Sequence, residues 1–99
     1  MTTYAEEIAA ARRLTLLLAL LFAPGYTLGR PALRAFVERT GYITSADLLA
    51  AEVAWLAEMG YVEPLELDAV RLTVRGEDVA IGRIQVPGVR RPSPGEVRP

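Results

Sequence analysis

The 99-residue sequence has no cysteine, no histidine, no lysine and no asparagine, and only one glutamine. Without Cys and His there are no disulfides, no thiol nucleophile, no imidazole acid–base catalyst and no structural zinc site of the usual kind. All 11 basic residues are arginine, and they face 12 acids for a net charge of −1. Attachment to nucleic acid by bulk charge needs a cation for each phosphate neutralised, so any such contact has to come from a local patch. Arginines and acids number five and six over residues 1–60, two and five over 61–82, and four and one over 83–99. Apolar residues make up 52% of the chain, which is too many for a disordered one. A single domain of this size buries about 60 to 65% of its unfolded surface, so the apolar excess points to contact with a partner.

Thr3 and Glu6 have the spacing of a capping box, which predicts a first helix ending before Pro24-Gly25. From Leu14 to Ala23 its only polar residue is Thr15, and a helix apolar all round is buried on all sides. Ten residues make about 15 Å of helix, half a bilayer core, which argues against a membrane span. A signal peptide fits poorly, because Glu6 and Glu7 precede the Arg12-Arg13 flank and no small-x-small cleavage site follows. The expectation is therefore a helix with the core on one side and a homodimer interface on the other, through Leu16, Leu17, Leu20, Leu21 and Phe22, in a cytoplasmic protein.

A second helix is expected from about Pro31 to Gly41, with Leu33, Phe36 and Val37 as its buried stripe and Arg30 and Arg34 together on another face. Ile43 reads as an apolar anchor in the following turn, and Ser45 as the N-cap of a third helix whose core residues are Leu49, Val53 and Leu56. Gly60 suits the stop of that helix. The pattern then changes period: Tyr61 to Leu67 and Val70 to Leu72, around Asp68-Ala69, predict a two-stranded ribbon with Pro64 at an edge or bulge. Trp55 reads as a packing anchor between the third helix and the ribbon. Thr73 opens a fourth helix over about Val74 to Arg83, and the Pro/Gly-rich segment from Val86 onward reads as an extended tail. The expected fold is α+β and mostly α: a winged helix-turn-helix of three helices plus a two-stranded wing, with a fourth helix completing a domain over 1–84 and a tail over 85–99.

The segments Ala11-Arg12-Arg13-Leu14, Ala23-Pro24-Gly25-Tyr26, Trp55-Leu56-Ala57-Glu58-Met59-Gly60, Leu72-Thr73-Val74-Arg75-Gly76-Glu77-Asp78-Val79-Ala80 and Val86-Pro87-Gly88-Val89-Arg90-Arg91-Pro92 resemble the motifs of a small winged-helix family of Mu-like phages and prophages. The resemblance runs over nearly the whole chain. The family is described as similar to ArsR-type regulators without the metal site, so the resemblance implies a fold and a phage origin and no proven activity.

A DNA-binding winged helix places the first turns of its third helix in the major groove. The outward positions there are Ala46, Asp47, Ala50 and Ala51, none with the forked donors that read guanine or adenine. Thr44 and Ser45 are candidates for phosphate, as are Arg30 and Arg34, Arg71 and Arg75 at the ribbon, and Arg90 and Arg91 in the tail. Phosphate contacts position a protein without specifying sequence, and Glu63, Glu66 and Asp68 at the ribbon oppose them. Catalysis has no support: Glu6-Glu7 and Glu77-Asp78 are adjacent acids in first turns, where the helix dipole favours negative charge. No metal or cofactor is expected. Two functions remain open. One is an accessory regulator of a phage or prophage that binds double-stranded DNA through phosphates; the other is an interaction module for a phage or host protein that keeps the fold without DNA readout.

Overall fold

The computed structural model describes residues 2–98. The order is α1 (Tyr4–Phe22), a 3-10 turn (Pro24–Tyr26), β1 (Thr27–Gly29), α2 (Arg30–Arg39), α3 (Ala46–Glu58), β2 (Val62–Leu65), β3 (Ala69–Leu72) and α4 (Val74–Ala80). The architecture is α+β and mostly helical, with four helices and one antiparallel three-stranded sheet in the order β1-β3-β2.

Three helices start on a side-chain cap. Thr3 Oγ1 accepts from the Glu6 amide at 3.1 Å, Ser45 Oγ from Leu48 at 3.0 Å and Thr73 Oγ1 from Gly76 at 3.0 Å. Three helices also stop in one way, with a left-handed glycine one residue past the cap. In α3, the Gly60 amide donates to Ala57 O at 3.0 Å and the Tyr61 amide to Leu56 O at 2.9 Å, and Gly41 and Gly82 repeat the arrangement. Gly82 ends α4 at Ala80, short of the expected Arg83, because the Arg83 amide turns back to Asp78 O at 2.8 Å.

Strand β1 is an addition to the expected two-stranded ribbon. It pairs with β3 in the register Thr27↔Arg71, Leu28↔Val70 and Gly29↔Ala69, and three residues are too few to show a strand period in sequence. Pro64 lies in β2, an edge strand, where its missing N–H leaves no gap between strands. The hairpin tip, Glu66 to Asp68, holds Leu67 and Asp68 in left-handed backbone, with φ of 60° and 59°.

The first helix corrects the expectation drawn from its apolar run. Leu14, Leu16, Leu17 and Leu20 are buried by this one chain, and Leu21 and Phe22 are half-buried. Helices α2 and α4 and strand β3 pack around α1, and so does the tail. Leu16, Leu17 and Leu20 are core residues that offer no surface to a second copy. The segment over 85–99, expected as an extended tail, does not stand apart from the rest of the fold over its described residues. The tail is irregular but docked: the Arg90 amide donates to Ala10 O at 3.1 Å, Val89 is buried, and Ile84, Val86 and Val97 pack on the core. Ile43, expected as an anchor, is 90% exposed, and Thr44 is buried in its place.

Candidate functional site

Three elements meet at a cleft of about 420 Å³: the start of α2, the first turns of α3 and the hairpin tip. Its walls are Arg30, Pro31, Arg34, Ala46, Leu49, Ala50 and Asp68. Local sequence explains the placement. Pro31 suits the first turn of α2, and the Gly41–Thr44 turn brings α3 back beside α2. The Arg30 amide donates to Asp68 O at 2.9 Å, which ties the hairpin tip to the start of α2.

Of the twelve candidate DNA-contacting residues, the cleft brings together Arg30, Arg34, Ala46 and Ala50, with Ser45, Asp47 and Ala51 exposed along the same end of α3. Both arginines are already engaged. Arg30 Nε lies 3.0 Å from Asp68 Oδ1, while Arg34 Nε donates to the Thr44 carbonyl at 2.6 Å and lies 3.7 Å from Glu38 Oε1. Glu38 Oε2 also accepts from the Thr44 amide at 3.4 Å, so Arg34 and Glu38 together hold the turn that launches α3. Thr44 is fully buried, its hydroxyl donating to Tyr42 O at 2.8 Å, which removes it from any phosphate-binding set.

The remaining candidates lie outside the cleft. Arg71 is paired across the sheet with Glu63, directly opposite in register. Arg75 stacks over Tyr61 with its guanidinium carbon 5.6 Å from the ring centre. Arg90 is paired with Glu96 at 2.8 Å. The Arg90 guanidinium, donating to Glu96, pulls that carboxyl from its ordinary 4.5 down to about 2 against the opposing effect of burial. Arg91 is exposed beside the tail groove of Ile81, Gly82 and Pro92. Seven of the eleven arginines form ion pairs; Arg39, Arg75, Arg91 and Arg98 have none among the described residues.

Glu52 was missed in the sequence. It is buried on α3 and takes two guanidiniums at once, Arg12 Nε at 3.0 Å and Arg13 Nε at 3.2 Å. Arg13 also lies 4.2 Å over the Trp55 ring and donates to Gly88 O at 3.1 Å. Gly88 has φ of 88°, and a Cβ there would sit 2.9 Å from Trp55. Trp55 thus anchors α3 to α1 and the tail, and meets Tyr61 edge-on at 6.3 Å. A signal was present: Glu52 falls at helical spacing among Leu49, Val53 and Leu56, and an acid on an apolar stripe needs a buried partner.

No family model matches the chain, and no solved structure matches it. It is similar to an uncharacterized protein, gp26, of Escherichia phage Mu, 44% identical over 57 residues that cover 54% of this chain and 59% of that protein. The chain thus spans about 59% of the length of that relative. The likeness supports the Mu-like phage side of the resemblance. No helix among the described residues is long and apolar enough to cross a membrane.

Proposed function

We propose that the chain is a winged helix-turn-helix module of a phage or prophage that works by protein contact, through the outer face of α3 and the hairpin tip, and leaves DNA unread. Support for the fold comes from the element order: α2 and α3 joined by a short turn, then a hairpin, with β1 closing the sheet on the hairpin's return strand. One observation carries the functional choice. The two arginines that a phosphate-binding surface would use, Arg30 and Arg34, are held by Asp68 and by Glu38 and the Thr44 carbonyl. The groove-facing positions beside them are three alanines and Asp47, which offer no donor to a base edge. Next to the cleft in sequence, Ile43 and Leu67 expose apolar side chains, and the exposed alanines of α3 add to them.

DNA binding through phosphates keeps one point in its favour, the meeting of Arg30 and Arg34 with the first turn of α3 in one cleft. Amide chemical-shift mapping of the labelled protein with a mixed-sequence duplex at low salt separates the two functions. The protein-contact function leaves Ala46 to Ala51 and Leu67 unmoved. Shifts concentrated on those amides, and lost when Arg30 and Arg34 are both replaced with Gln, would reverse the assignment.

A further inference from the structure

We propose that the partner docking on this face does so with a basic amphipathic helix. The inference rests on the protein-contact function above and adds the chemistry of the partner. Among the described residues, Ile43 and Leu67 are the two most exposed large apolar side chains, at 90% and 98%. Each stands one residue from a group that builds the cleft: Ile43 precedes Thr44, whose carbonyl Arg34 holds, and Leu67 precedes Asp68 in the cleft wall. Pro31, Ala46 and Ala50 are among the residues that line the cleft. Small side chains there let the backbone of an incoming helix approach closely, while the two aliphatic residues supply grip, as in the helix-in-groove mode of recognition.

Charge selects among occupants. Arg30, Arg34 and Asp68 line the cleft, Glu38 pairs with Arg34, and the exposed Asp47 and Glu66 are the neighbours in sequence of Ala46 and Leu67, so the residues around the cleft carry two arginines against four acids. Asp47 and Glu66 have no ion-pair partner among the described residues. A second copy docking symmetrically by this face would set one acidic rim against another, and like charges so placed oppose association. A nucleic acid would meet the same opposition. Lysines or arginines flanking an apolar stripe meet it with complementary charge.

Two fluorescent peptides of about 18 residues, with leucines at helical spacing and flanks of either lysine or glutamate, provide the test by anisotropy. The lysine-flanked peptide binds about tenfold more tightly than the glutamate-flanked one, and the preference shrinks with added salt. Ile43→Ser and Leu67→Ser each weaken it about fivefold without lowering the melting temperature, since neither side chain is packed. Asp47→Lys with Glu66→Lys abolishes the preference. Equal binding of both peptides at this face would overturn the basic partner and leave the protein-contact function standing. The absence of binding by the lysine-flanked peptide, or binding indifferent to Ile43 and Leu67, would overturn the proposal as well. Duplex DNA shifting the α3 amides would overturn the protein-contact function itself.

Discussion

Replacing Glu52 with Gln tests how α1, α3 and the tail are joined. The carboxylate is held 3.0 Å from Arg12 Nε and 3.2 Å from Arg13 Nε, with its own side chain only 6% exposed. The substitution preserves volume but leaves two guanidiniums without their counter-charge in a partly dry site. Breaking a buried pair by removing one partner costs about 3 to 5 kcal/mol. The arginine side chains retain some access to water, 13% and 19%, and can shift outward, which sets the expected loss at the lower end, about 3 kcal/mol. For a domain of this length that is a fall in melting temperature of about 12 to 24 °C. Thermal and urea unfolding followed by circular dichroism measure it. Arg13 also donates to Gly88 O, so the tail should loosen and the Arg90 amide should exchange faster. A loss under about 1 kcal/mol, the level of an ion pair in open water, would refute the claim that burial strengthens this cluster.

Gly76→Ala should destabilise by about 3 kcal/mol or more, because a Cβ would lie 2.0 Å from Tyr61 O where α4 crosses the strand entry; an unchanged urea midpoint would contradict that packing. Leu67→Asn should stabilise by about 0.5 to 1 kcal/mol, since a leucine in left-handed backbone is strained and this one gains nothing from burial; a lower melting temperature would count against it. Trp55→Ala should cost about 2 to 3 kcal/mol, less than a fully buried tryptophan, with the Gly88 segment released together with it. The Glu96 carboxyl is depressed from 4.5 to about 2, so its pairing with Arg90 stabilises the fold above pH about 4.5, and that contribution fades as pH falls towards 2. Both side chains are about a third exposed, which limits it to about 1 kcal/mol, and Glu96→Gln should flatten the acid side of the stability curve in that window.

Helix starts and stops were legible because they are local: Thr3, Ser45 and Thr73 cap, and Gly41, Gly60 and Gly82 end their helices. The buried apolar positions of α2 and α3, Leu33, Val37, Leu49, Val53 and Leu56, followed from spacing alone, while Phe36 is half-buried and the buried Glu52 was not read. What was hidden depends on contacts far apart in the chain. The enclosure of α1 by α2, α4, β3 and the tail cannot be seen from its own composition, so its apolar run read as an interface. The tail's docking rests on a backbone bond to Ala10, on Arg13 donating to Gly88 O, on Gly88 fitting against Trp55 and on burial of Val89, none of which has a periodic signature. Ile43 and Thr44 exchanged roles because the Thr44 backbone is held from both sides by Arg34 and Glu38. At the cleft, sequence identified Arg30, Arg34 and the α3 alanines, but only the folded hairpin shows that Asp68 occupies Arg30.

The affinity for a mixed-sequence duplex as a function of salt, measured in parallel on the unaltered protein and on the Glu38→Gln, Asp68→Asn double variant, tests the central claim most directly. The unaltered protein should show no salt-dependent binding through this face, because Arg30 and Arg34 are engaged. Releasing Arg30 from Asp68, and Arg34 from Glu38 though not from the Thr44 carbonyl, should create binding through this face whose logarithm falls with log salt at a slope of about −0.9 to −1.8. Binding by the unaltered protein at that slope or steeper, unchanged in the double variant, would contradict the claim that the ion pairs keep this face from DNA.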